Sequence, residues 1–171
     1  MENIEFIDGK HYSEYNDKIE YFLKNSEYDE AIKLLLKIIE TTERASYITG
    51  QGVAPWYYDK LSIVYKKLKN TSEAAETLKR YLCQIKARGS HPKKIYNKYL
   101  KTQNLEEKKI QKEIYELYIE TINSTELKTI KYKCDSCKQI GLYPIPNQNN
   151  NNEIMFGACC PYCCESLIVT G

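Results

Sequence analysis

The chain has 171 residues, 42% of them apolar and 28% charged, with a formal net charge of +2. That length supplies one modest core with a small appendage and excludes a large multidomain enzyme. Its apolar runs are short and interrupted by charge, as Lys37 interrupts 34–39, and its acidic start lacks a cationic leader, so a cytoplasmic protein with no membrane association is expected.

Taken in chain order, helix breakers at Gly9, at Gly50, Gly52 and Pro55, and at Gly89 and Pro92 divide the first 125 residues into helix-sized pieces. The first is 13–25. Ser26 is expected to cap a second that opens on Asp29, Glu30 and Ala31 and runs through Leu35 and Ile39 toward Tyr47. Pro55 stands where a first-turn proline belongs, ahead of 56–68. Residues 70–72 cap a helix predicted to end at Arg88, with Gly89 as its stop. Ser90 and Pro92 start a fifth, and Asn104 followed by Glu107 predicts a capping box for a last helix through Ile122.

A repeat underlies these pieces. Tyr15, Phe22, Ala31, Leu35, Ile38 and Ile39 are matched 43 residues later by Tyr58, Tyr65, Ala74, Leu78, Tyr81 and Leu82. In each unit an aromatic on the first helix faces a small alanine near the start of the second, which lets two antiparallel helices approach closely. Each pair then leaves an apolar face that only a neighbouring pair covers.

Residues 13–88 accordingly resemble the tetratricopeptide-repeat family, with Tyr58, Leu61, Ser62, Tyr65, Ala74, Leu78 and Tyr81 on its consensus positions. The first unit departs from it at Lys18, and a connection over 40–53 lengthens the period from the family's usual ~34 residues. A third unit keeps Ile95, Tyr99, Ile110, Ile114, Leu117 and Tyr118 without the small residue, as a capping repeat would. The resemblance implies a groove for an extended peptide or a partner helix, lined from the first helix of each pair, with Tyr12, Asn16, Tyr57 and Lys60 as candidates.

Charge follows its own pattern: the net is −5 over 1–53, +9 over 54–133 and −2 over 134–171. Lys86, Arg88, Lys93, Lys94, Lys98 and Lys101 form a basic stripe near Tyr96 and Tyr99 that offers a nucleic acid a landing surface. Lysine dominates it, so it suits matching by sign better than reading base edges. A solvated helix face is its plainer use.

Six of the seven cysteines fall in the last 38 residues. Cys134-Asp-Ser-Cys137 and Cys160-Pro-Tyr-Cys163 are two knuckles of the kind that turn paired thiolates toward one point, together supplying a tetrahedral Zn(II) site. Cys159 and Cys164 flank the second pair and leave its ligand choice more open than the first. Strands are expected at 140–145, 154–156 and 167–169, with an Asn-rich turn at 147–152, an order similar to a zinc ribbon over 131–171. One closed, structural ion follows, with no open position for water.

No constellation for catalysis emerges. His11 and His91 lack a nucleophile or acid at motif spacing, Cys83 reads as core, and no phosphate loop or dinucleotide fingerprint occurs. The sequence thus predicts a mainly α protein: antiparallel helix pairs of five to six helices over 1–125 and a small β zinc ribbon over 131–171. Its expected function is non-enzymatic, an adaptor that binds a protein or peptide and docks a second time through the ribbon, with nucleic-acid binding as the alternative.

Overall fold

The computed structural model describes residues 4–86, 90–102, 107–124, 128–144, 160, 161 and 163. These form six helices, a short N-terminal hairpin and a two-stranded sheet beside the cysteines. Strands β1 (Phe6–Ile7) and β2 (Lys10–His11) turn through Asp8 and Gly9, both at positive φ as a two-residue hairpin demands. A single 3-10 turn over Tyr12–Tyr15 leads into α1 (Asn16–Lys24). Then follow α2 (Tyr28–Thr49), α3 (Pro55–Lys67), α4 (Thr71–Leu82), α5 (His91–Leu100) and α6 (Glu107–Ser124).

The two turns that close the first and second helix pairs match bond for bond across the 43-residue period. The Ser26 and Glu27 amides donate to the Leu23 and Phe22 carbonyls at 3.4 and 2.9 Å, and those of Lys69 and Asn70 donate to Lys66 and Tyr65 at 3.0 and 2.8 Å. Both are Schellman closures, which place the residue after the C-cap in the left-handed region. Here those residues are Ser26 (φ 61°) and Lys69 (φ 59°) rather than glycine. Ser26 therefore ends α1 instead of capping α2, whose N-cap is Glu27.

Burial repeats in the same register. Ala31, Leu35, Ile38 and Ile39 on α2, and Ala74, Leu78, Tyr81 and Leu82 on α4, are all withdrawn from solvent completely. The alanines sit where each second helix starts beside its partner, and a larger side chain there would hold the pair apart.

The longer period comes mostly from helix: α2 runs through the expected stretch toward Tyr47 and on to Thr49, with 22 residues against 12 in α4, and only 50–54 connects it to α3. Gly50 (φ 70°) ends it, its amide donating to the Ser46 carbonyl at 2.7 Å. The extra turns carry Glu43 to a buried position between α3 and α4. There its carboxylate accepts a bond from the Tyr58 hydroxyl at 2.9 Å and a two-pronged pair from Arg80 at 2.8 and 2.7 Å. Burial first, then the neighbouring carboxylate, pushes the Tyr58 phenol well above its ordinary range, so it stays a donor.

Helix α4 also ends earlier than predicted. Its last residue is Leu82, and the following residues turn to run beside the end of the α2–α3 connection, where Val53 and Lys86 form a parallel bridge and the Val53 amide donates to Ile85 at 3.0 Å. Arg88, Gly89 and Asn104 lie outside the described residues.

Two cores result. The larger joins α1 to α5 with Ile114 of α6; the smaller gathers Ile85, Tyr118 and Ile122 with the aromatic and cysteine residues of the C-terminal sheet. Helix α6 contributes to both.

Replacing Lys69 by glycine is expected to raise stability by about 0.5–1 kcal/mol, because it relieves a left-handed side chain at the cost of some chain entropy; a shift of the denaturant midpoint measures it. Glu43→Ala strands the Tyr58 hydroxyl and Arg80. It is expected to cost about 2 kcal/mol, below the 3–5 kcal/mol of a fully enclosed pair because the Arg80 side chain is 37% exposed.

Candidate metal centre

Strands β3 (Thr129–Lys133) and β4 (Ile140–Pro144) pair antiparallel, with Lys133 opposite Ile140, so the first cysteine knuckle is itself the hairpin turn. Strand β3 was not among the expected strands. The knuckle is closed by backbone bonds: Cys134 donates to Gln139 and Lys138 donates back to Cys134, both at 2.9 Å, with Lys138 at φ 61°. The strands expected at 154–156 and 167–169, the Asn-rich turn, Cys159 and Cys164 lie outside the described residues.

The second knuckle brings Cys160 and Cys163 to the first. The sulfurs of Cys134, Cys137, Cys160 and Cys163 all lie within 4.8 Å of one another. Cys134 and Cys163 are 3.6 Å apart, and Cys137 and Cys160 are 3.7 Å apart. These are not disulfides, which need about 2.05 Å. Four sulfurs placed tetrahedrally about an ion at ~2.3 Å stand roughly 3.8 Å from each other, and these two pairs are close to that separation. Four cysteines so arranged can hold a metal ion.

Electrostatics favour the ligand form. Burial opposes ionisation of Cys134, but the backbone amides of Cys137 and Ser136 together with the neighbouring thiols outweigh it and bring its thiol below the ordinary value. Cys134 and Cys160 are fully buried, whereas Cys137 and Cys163 are half-buried.

Aromatic side chains enclose the sulfurs. Tyr132 lies on β3, two residues before Cys134, and its hydroxyl lies 3.8 Å from the Cys160 sulfur. Burial, then the charge of Cys160, raises its phenol above the usual range. Its ring meets Tyr143 edge-on at 6.5 Å, and the Tyr143 hydroxyl donates to the Lys86 carbonyl at 3.0 Å. Gly141 faces this group: a Cβ there would fall 2.6 Å from the Tyr115 oxygen and 2.8 Å from that of Tyr132.

The basic stripe is divided by the fold. Lys86 is only 1% exposed; its ammonium donates to the Leu82 carbonyl at 2.5 Å, at the C-terminal end of α4, and lies 4.9 Å from the Tyr118 ring. It is therefore inside the smaller core and away from the stripe. Lys98 pairs with Asp59 at 2.5 Å. Lys93 and Lys94 remain on the exposed side of α5, Lys101 is exposed just after it, and Arg88 is outside the described residues.

The four groove candidates converge on one seam. The Tyr57 hydroxyl donates to the Asn16 side chain at 2.8 Å, the Tyr12 and Tyr57 rings meet at 5.8 Å, and Lys60 pairs with Glu20 at 2.5 Å while lying 5.0 Å from the Trp56 ring. Tyr57 itself is buried, and burial raises its phenol to about 12. The His11 ring caps the 3-10 turn, accepting from the Ser13 amide at 3.3 Å, while His91 is exposed at the start of α5. Cys83 ends α4 half-buried, with its thiol pushed up by burial.

No family profile, curated protein or solved structure matches this chain. The site's geometry therefore stands on its own residues. The sequence pattern missed Tyr132 and Gly141 and set Lys86 on the surface, whereas the fold buries it. The two-residue spacing from Tyr132 to Cys134 could have found the first; nothing local marks the other two.

Because Tyr118 and Ile122 share a core with the cysteine residues, metal removal is expected to reach beyond 131–171. A chelator should speed amide exchange in the second half of α6 as well as in β3 and β4, while the amides of α2 to α4 keep their protection. Exchange confined to 131–171 would show that the shared core does not couple the two.

Proposed function

We propose that the chain is a non-enzymatic adaptor of the cytoplasm, a tetratricopeptide-repeat-like stack of helix pairs that holds a partner protein or peptide, braced by one structural Zn(II) in a C-terminal ribbon that offers a second docking surface. The observation that carries the repeat is the bond-for-bond match of the two turns, together with complete burial of Ala31 and Ala74 at the same register. Stacked pairs of this kind align their first helices into one face, and here Asn16 with Tyr57 and Glu20 with Lys60 tie α1 to α3 along it. Zinc suits four thiolates at tetrahedral spacing, and such a closed set has no position left for water to be activated. Binding the ion then adds to folding free energy, which a lobe of about 40 residues needs.

A second reading, nucleic-acid binding, draws on α5: Lys93, Lys94 and Asn97 are exposed on it, Lys101 is exposed just after it, and no acidic residue falls within it. One experiment separates the two. Cross-linked capture from native cells with the wild-type chain and with a Tyr12→Ala, Lys60→Glu variant is expected to lose a protein partner only in the variant, with helical content and metal retained. Equal capture by both removes the seam from the function. Binding of a short duplex whose log affinity falls with log salt at about −0.9 per phosphate contacted, and which a Lys93→Glu, Lys94→Glu variant abolishes, transfers the function to α5.

A further inference from the structure

A divalent ion among four thiolates is a doubly negative centre, and enclosing that charge is costly unless hydrogen bonds reach the sulfurs. The four sulfurs sit in different surroundings. Cys137 and Cys163 are half-buried and reach water, and Cys134 receives backbone amides of its own knuckle. Cys160 is fully buried in an aromatic shell of Tyr118, Tyr132 and Tyr143, and the Tyr132 hydroxyl stands 3.8 Å from its sulfur.

Packing alone does not account for that hydroxyl. The edge-on contact of Tyr132 with Tyr143 uses only the ring, and a phenylalanine would make it equally well. The oxygen is accommodated because residue 141 has no side chain: a Cβ would come within 2.8 Å of it. A metal-bound thiolate carries no proton, so with the ion in place the bond has one direction, from the phenol to the sulfur.

We propose that Tyr132 is a positioning residue of the metal centre: its hydroxyl donates to the Cys160 thiolate, draws charge from that sulfur and fixes its direction toward the ion, with Gly141 as the clearance that admits it. This rests on the four cysteines binding metal. Removal of such an outer partner typically weakens metal binding by about 10–100-fold.

The test uses the full chain loaded with Co(II), then competed with Zn(II). Tyr132→Phe is expected to move the sulfur-to-cobalt charge-transfer bands to longer wavelength, since a sulfur without its donor gives up electrons more easily. It should also weaken zinc binding by about 10–100-fold. Gly141→Ala, which displaces the hydroxyl, should move the bands the same way. Tyr143→Phe, whose hydroxyl bonds the Lys86 carbonyl, should leave them in place. Should Tyr132→Phe not fold, the wild-type chain loaded with ¹¹³Cd decides: a coupling between the metal and the Tyr132 hydroxyl proton supports the bond, and its absence overturns it. Unshifted bands with wild-type zinc affinity in Tyr132→Phe overturn the proposal while leaving the metal centre intact. A wild-type chain that takes up neither Co(II) nor Zn(II) overturns both.

Discussion

The pairs α1–α2 and α3–α4 each hide one apolar face and leave another to be covered by the next helix, and the architecture follows from where that succession stops. Ala31 lets α1 and α2 close; Ala74 does the same for α3 and α4. The succession reaches α6, whose Ile114 joins the helical core and whose Tyr118 and Ile122 would otherwise stand open. The cysteine lobe covers them. A hairpin turned by the first cysteine knuckle supplies the residues that cover this end of the helices.

Polar groups fix the geometry that apolar burial leaves loose. Glu43 reaches Tyr58 and Arg80 across three helices, and Tyr47 on the same extended α2 donates to Gln84 at 2.9 Å. Apolar surfaces tolerate sliding, whereas a buried carboxylate with three donors accepts one arrangement. The added turns of α2 thus set the spacing between the first and second pairs. At the other end, Tyr143 and the Lys86 carbonyl join β4 to the segment after α4, so the sheet is placed by a bond as well as by contact.

Two parts of the helical surface differ in chemistry. Tyr12, Asn16 and Lys60 pack around the buried Tyr57 and its neighbours, and internal bonds already knit this seam. The outer side of α5 is lysine-rich and exposed. Burial of Lys86 and pairing of Lys98 make it narrower than a count of basic residues implies.

Periodicity and spacing were enough to read the helical class, the 43-residue repeat, the alanines that close each pair and the four sulfurs as a possible ligand set, because each is a local pattern whose geometry follows from helix pitch or a tight turn. Chain continuity hid the rest. The helical run toward Tyr47 was legible, but the partners of Glu43 on it, Tyr58 and Arg80, lie 15 and 37 residues away. Lys86 looked like surface charge until the end of α4 and the Tyr118 ring enclosed it. Tyr132 gained a sulfur partner 28 residues away, and Gly141 became necessary only once two tyrosine oxygens converged on it. Such roles are set by what long-range packing brings within a few ångströms, and only the folded chain specifies those distances.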